Sequence, residues 1–492
     1  MDSYFKVYSM KRSLILQLIL LALFACILWI IFSSDKEDKS PRNQTFSIGS
    51  SLARETEKNH PEDDTSQEIL KIQFVRNIKN PIGLLFLQLI IILSVAKLFG
   101  VLVSRLRQPR VIGEMIAGII LGPSLLGLIS PEVFNFLFPD NSLGNLEIIS
   151  QLGLIFFMFI VGMELDIGRL KSKVLNAFVI SNASFIFPYF LGVLLSLFLF
   201  DRFAPDNVRF SEFALFIGIA VSITAFPVLA KILQERNLTK TTLGTIAITC
   251  AAFNDLTSWC ALALVIAIVI GENVSGVLLV IILTVIFILV MFYLIRPLLR
   301  KINSNFPEGK NHNKTFTIIA FLILLSSSCL TEAIGIHAVF GAFIAGLIMP
   351  DKMNFKESLT GKIEDICVIL LLPVFFAITG LRMQIGLLNQ GYLWATFGLI
   401  VFVAILGKIG GSAISAKITG HSWKDSLSLG ILMNTRGLIE LIVLSIGYDL
   451  GILSAQLFTI LVLMAVTTTL MTGPLLDLMD FYYKNNTELV QE

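Results

Sequence analysis

LGTIAITCAAFNDLTSWCALALVIAIVI, residues 243–270, decides how the rest of the chain is read. It runs for 28 residues with one charge, Asp255. About 20 apolar residues are enough to cross the hydrocarbon layer of a membrane as a helix. Asp255 lies twelve residues beyond Leu243. At about 1.5 Å per residue this is roughly 18 Å along the helix, near the middle of a bilayer. An ionised carboxylate at that depth is expensive unless it faces water, a cation or a partner charge. A group held there is suited to bind a proton and a cation in turn. The plainer alternative is a static buried ion pair, which the depth disfavours.

The composition agrees with a lipid solvent. Of 492 residues, 55% are hydrophobic and 15% charged, whereas soluble domains carry about a quarter charged residues. A formal net charge of +2 gives no reason to expect a nucleic-acid partner. Cys26, Cys250, Cys260, Cys329 and Cys367 have no CxxC spacing and read as small buried hydrophobes. No HExxH, Walker or GxGxxG pattern occurs, and no Ser/His or paired-aspartate GxGD arrangement either. An enzyme, an ATP-driven pump and a resident cofactor are therefore not expected.

Working outward from 243–270, thirteen apolar segments follow Pro81. They are 82–103, 111–129, 148–163, 174–200, 213–232, 243–270 and 274–295, then 316–330, 334–349, 366–380, 392–418, 427–446 and 457–479. An extra segment, 13–32, precedes them, so residues 1–32 read as an N-terminal transmembrane helix or a signal-like segment. Residues 33–80 are polar and read as an extracytoplasmic linker. Positive charge gathers on alternate loops: Arg105, Arg107 and Arg110; Arg169, Lys171 and Lys173; Arg296, Arg300 and Lys301; Lys417 and Lys424. Arg202, Arg209 and Arg382 fall on the other side. The positive-inside rule then starts 82–103 outside and leaves the C-terminus cytoplasmic. The expected location is a bacterial inner membrane.

Two segments are interrupted. The fifth contains Ser222-Ile-Thr-Ala-Phe-Pro227, where a proline breaks the hydrogen-bond ladder at membrane depth. The twelfth contains Met433-Asn-Thr-Arg-Gly437 amid apolar sequence. With the seventh segment, 274–295, as a linker helix, the units 81–270 and 316–480 each have their interruption in the fifth helix, and the two units are inverted. Matched broken helices in inverted repeats point to a transporter site near the midplane. The fold expected is thus an all-α integral membrane protein. It has an inverted-repeat transporter domain at 81–480, thirteen core transmembrane helices of which two are broken, one extra N-terminal helix, and a short cytoplasmic tail at 481–492.

Lys408 lies about ten residues from its cytoplasmic helix end, roughly 15 Å deep. That depth matches Asp255, so an ion pair in the cation-free state is expected. Arg436 and Glu440 are four apart, share a helix face and read as a structural pair supporting the break. Thr224 and Ser222 offer oxygens to a hard cation. Glu114, Glu164 and Asp166 read as solvated or entrance charges, and Lys97 as a snorkelling lysine.

These stretches resemble the monovalent cation:proton antiporter-2 family. The resemblance is carried by QPRVIGEMIAGIILGPS (108–124), FMFIVGMELD (157–166), SITAFPVLAKIL (222–233), LGTIAITCAAFNDLTSW (243–259) and NTRGLIEL (434–441), and covers about 81–479. It implies a two-domain antiporter fold, a homodimer in the bilayer, and an ion-binding core that moves against a dimerisation domain. It further implies that Asp255 carries the cation or proton with Asn254 beside it, and that Lys408 takes the place of the family's core lysine. Some antiporters similar in fold carry two aspartates where this chain has Asn254-Asp255. Asparagine exchanges no proton in the relevant pH range. One titrating carboxylate implies exchange of one Na+ or K+ for one H+, hence electroneutral. A K+ efflux channel-like protein and an ion sensor built on the same core are the rival expectations. No counterpart of the nucleotide-binding domain of gated K+ efflux relatives, or of the long tail of plant exchangers, is expected in the short segment after the last helix.

Overall fold

The computed structural model describes Asn77 and residues 80–488, apart from 106–107, 165–173, 239–240, 271–273, 306–309 and 351–352. The expected N-terminal helix at 1–32, almost all of the linker at 33–80, Cys26 and Asp166 lie outside the described residues.

Every regular element among the described residues is helical. The chain enters through α1 (Pro81–Arg105) and α2 (Arg110–Leu121), which the extended Pro109 starts and Gly122 ends. Two short helices, α3 (Leu126–Ile129) and α4 (Pro131–Leu137), lead into α5 (Asp140–Glu164). Next come α6 (Val174–Phe203), α7 (Phe210–Ser222), α8 (Phe226–Glu235) and α9 (Thr242–Ile270). Helix α10 (Val274–Leu289) passes through a π turn, Val290–Ile295, into α11 (Arg296–Asn305). The second half holds α12 (Lys310–Ile334), α13 (Ala338–Leu347) and α14 (Met353–Ile366). A second π turn, Cys367–Leu371, joins α14 to α15 (Leu372–Arg382). The last elements are α16 (Gly391–Ile405), the π turn Leu406–Gly410, α17 (Gly411–Ile418), α18 (Trp423–Met433), α19 (Leu438–Asp449) and α20 (Ala455–Glu488).

Ten spans, some running through a π turn and one joining α2 to α3, are long and apolar enough to cross a membrane. There are eleven if α18 and α19, bent by 43° at their break, are one span. The chain is a multi-pass, all-helical membrane protein. Length alone does not yield the thirteen spans expected. At 213–232 the chain leaves the helix after Ser222 and resumes at Phe226, giving two short helices. At 334–349 positive φ at Gly335 (96°) and His337 (75°) ends α12 and restarts the chain as the ten-residue α13. α20 also continues to Glu488, past the expected end at residue 479.

Packing divides the helices into two groups. In the first, α1 packs on α2, α15 on both α2 and α5, and α13 on α5 and α12. In the second, α6 packs on α7, α9 and α17, α17 on α18, and α19 on α20 and α7. The first group is held at backbone distance by glycines. A Cβ on Gly118 would stand 2.1 Å from the Phe376 carbonyl oxygen, and one on Gly346 2.2 Å from that of Phe159. Small residues let helices in lipid exchange van der Waals contact and Cα–H contacts that longer side chains would prevent. Cys250 and Cys367 are buried as expected, but Cys260 and Cys329 lie on the apolar outer surface. In a bilayer that surface is as apolar as the core, so burial in protein was not required of them.

Candidate ion-binding site

The two helix breaks meet inside the second group. Residues 223–225 between α7 and α8 lie beside residues 434–437 between α18 and α19. The Ala225 N–H donates to the Thr435 carbonyl at 3.0 Å, and the Thr224 hydroxyl donates to the Met433 carbonyl at 2.8 Å. These bonds satisfy groups that the interrupted ladders leave open, which a lipid environment requires. Pro227 occupies the first turn of α8, where the N–H it lacks has no helical partner to lose.

Asp255 and Asn254 stand on α9 against this crossing, both fully buried. The Asn254 Oδ1 accepts the Thr224 N–H at 3.0 Å, and the Ser258 hydroxyl caps the Asn254 carbonyl at 2.7 Å. Neither Asp255 oxygen accepts a hydrogen bond from the described residues. The Phe226 N–H at the start of α8 and the Lys408 ammonium lie within electrostatic reach of the carboxylate. The amides of a helix N-terminus carry partial positive charge and suit an anionic side chain.

Lys408 is fully buried, and its ammonium donates to the Thr224 hydroxyl at 2.6 Å. The ion pair with Asp255 that the sequence led us to expect is not formed; Lys408 bonds the Thr224 hydroxyl instead. Lys408 sits in the π turn Leu406–Gly410, and Gly407 beside it packs on Pro188, where a Cβ would fall 2.7 Å from the Pro188 Cβ. The extra residue per turn re-aims the side chains around it, a common use of π turns. Ser222 is buried, but its hydroxyl donates to the Ile219 carbonyl at 3.0 Å.

Arg436 and Glu440 form the expected pair, at 3.0 Å with both side chains fully buried. Arg436 does more than pair. Its guanidinium donates to the Ala220 carbonyl at 2.9 Å and the Val221 carbonyl at 2.5 Å. It thus places positive charge at the negative C-terminal end of α7, while Glu440 lies in the first turn of α19. Two features of the site were not foreseen. Thr469 on α20 accepts the Arg436 N–H at 2.9 Å and donates to the Arg436 carbonyl at 2.8 Å. Asn434, fully buried in the break, has no hydrogen-bond partner for either amide atom among the described residues. The run Thr467-Thr468-Thr469 within an apolar helix was the visible signal for the first. Glu114 is half-buried on α2, Glu164 is exposed at the end of α5, and Lys97 is exposed.

The sodium/hydrogen exchanger transmembrane-domain profile matches residues 90–479. The chain belongs to the sodium/hydrogen exchanger family. Among curated relatives of this exchanger, the Na(+)/H(+) antiporter NhaS4 of Synechocystis is 43% identical over 397 residues, covering 80% of this chain and 97% of the relative. Cation/H(+) antiporter 17 of Arabidopsis thaliana is 42% identical over 81% of this chain, and K(+)/H(+) antiporter 1 of Saccharomyces cerevisiae 35% identical over 82%. The exchanger spans about half the length of those two, 48% and 47%. The sodium proton antiporter MjNhaP1 of Methanocaldococcus jannaschii has a similar structure, with a TM-score of 0.59 at 18% identity, covering 80% of this chain and 96% of the other. The antiporter resemblance read from the sequence is thus borne out, and the relatives are transporters, not enzymes.

Proposed function

We propose that this exchanger trades a monovalent cation, Na+ or K+, for a proton at Asp255 by alternating access. The observation that carries the reading is a fully buried carboxylate with no hydrogen-bond partner among the described residues, beside two crossed helix breaks. A carboxylate so placed is stable when a proton or a cation neutralises it, and each displaces the other. The printed names of the relatives, Na+/H+, K+/H+ and cation/H+ antiporters, agree with this cargo. Asn254 is held by the Thr224 N–H, so its role is to position the crossing beside Asp255. Lys408 compensates charge near the emptied site through Thr224. Glu440 is paired with Arg436 while Asp255 has no pair, and one exchanging carboxylate makes the exchange one for one and electroneutral.

Counting the α7–α8 pair as one broken span and α13 as a short one brings the ten long helices and the bent α18–α19 pair to thirteen. An odd count, read with the loop charges, starts α1 outside and leaves the C-terminus cytoplasmic in an inner membrane. The two units, before and after α10, are inverted repeats. In a homodimer, the first helix group is the fixed dimerisation body and the second the moving core.

Reconstitution into proteoliposomes with an internal pH dye tests the reading. Na+, K+ or Li+ added outside wild-type protein should trigger proton movement, and Asp255→Asn should abolish it. Equal fluxes in folded mutant and wild type, or cation flux without proton movement, would replace exchange at Asp255 with a channel or sensor role.

A further inference from the structure

Far from Asp255, one arginine ties the two helix groups together. Arg382 ends α15, in the first group, and its side chain is 18% exposed. Its guanidinium grips Asp449, at the end of α19 in the second group, with Nη2 at 2.9 Å from Oδ1 and Nη1 at 3.1 Å from Oδ2. The same Nη2 also pairs with Glu147 on α5, which belongs to the first group. The arginine plane lies 5.6 Å from the ring of Tyr448, beside Asp449.

The segment after Arg382 repeats this division. The Ser124 hydroxyl donates to the Met383 carbonyl at 2.9 Å and accepts the Ile385 N–H at 3.0 Å, which fastens the segment to the end of α2. Between them the Gln384 N–H reaches the other group, donating to the Thr459 hydroxyl on α20 at 3.1 Å. Immediately beneath is a small cavity between the groups, lined by Thr379, Met383, Leu441 and Val462 among others. At the opposite end, Gln108 at the start of α2 donates one neutral hydrogen bond to the α20 carbonyl of Leu470, at 3.2 Å. Arg382 thus supplies a charged tie between the groups at its own end.

We propose that Arg382 is the outer latch of the carrier, a positioning residue that holds the moving core closed to the outside and so sets its resting orientation. This rests on the antiport reading for which end is outer and which group moves. Two carboxylates share the arginine, so its removal does more than delete an attraction. Glu147 and Asp449 are left facing each other as like charges across the boundary, which drives the groups apart. The three residues are thereby ranked. Arg382→Gln opens the outer side most. Asp449→Asn opens it less, since the tie is lost without the repulsion. Glu147→Gln leaves the Arg382–Asp449 bond intact and the side closed.

The test uses Thr379→Cys, beneath the latch, in full-length protein whose native cysteines are replaced by serine, labelled in proteoliposomes by a membrane-impermeant maleimide. Arg382→Gln should speed labelling about tenfold, the effect of about 1.4 kcal/mol on a two-state equilibrium. Asp449→Asn should give a smaller gain, Glu147→Gln none, and Arg382→Lys should restore most of the closure. Equal labelling in all variants with unchanged melting temperatures would overturn the latch. A second arm guards against misfolding: in Arg382→Cys/Asp449→Cys, a disulfide across the boundary should arrest exchange, and reduction should restore it. Full exchange by the cross-linked protein would also overturn the proposal. If wild-type protein moves no protons with any cation, the antiport reading fails, while the labelling series still decides whether Arg382 closes this end.

Discussion

Thr224 has two opposed partners: its hydroxyl accepts from Lys408 and donates to the Met433 carbonyl. Valine has the same shape without the hydroxyl, so Thr224→Val leaves a buried ammonium and a carbonyl without their bonds. We expect a stability loss of about 1–3 kcal/mol in thermal melts and slowed exchange, with Thr224→Ser close to wild type. At Asp255 the expectation differs. Asp255→Asn removes a charge that no residue pairs, so the mutant should melt at an equal or higher temperature while its exchange is lost. Asn254→Asp keeps an acceptor for the Thr224 N–H and adds a second acid. Exchange by that variant should become sensitive to membrane potential, read with a valinomycin-set gradient in the same vesicles. Asp255 was legible in the sequence because the lone charge in a 28-residue membrane-length segment has few explanations. The partner of Lys408 was not. Depth along two helices says how far apart charges lie in height, and nothing about the hydroxyl that Lys408 bonds instead.

At the scale of elements, the breaks are stabilised by charges placed on helix ends. Arg436 serves the end of α7 and Glu440 the start of α19. Glu440→Ala leaves a buried guanidinium short of its counter-charge and should cost about 3–5 kcal/mol, measured by thermal shift in detergent. The double replacement Arg436→Met/Glu440→Leu should recover part of that loss and none of the transport, because the α7 carbonyls lose their donor. Both interruptions were visible as Pro227 and as Met433-Asn-Thr-Arg-Gly437. What hydropathy concealed was the geometry within apolar runs. The segment expected at 334–349 contains a restart at His337, and the one at 392–418 contains a π turn at Lys408. Apolar residues fill a bilayer equally well in one helix or two short ones, so their pattern does not report the join.

Across the whole molecule, glycines bring helices into backbone contact within each group. Gly118 and Gly380 bring α2 and α15 so close that a Cβ on Gly380 would stand 2.0 Å from the Gly118 carbonyl carbon. Gly118→Val should therefore lower folded yield and melting temperature, as judged by size-exclusion chromatography, whatever its effect on the site in the other group. That close contact also gives the molecule an internal ruler. Spin labels placed on the outer ends of α2 and α15 should report one sharp separation at every stage of the transport cycle. A label on α19 paired with either of them should report two. Distances within the first pair then calibrate the instrument in the same sample in which the second pair counts states.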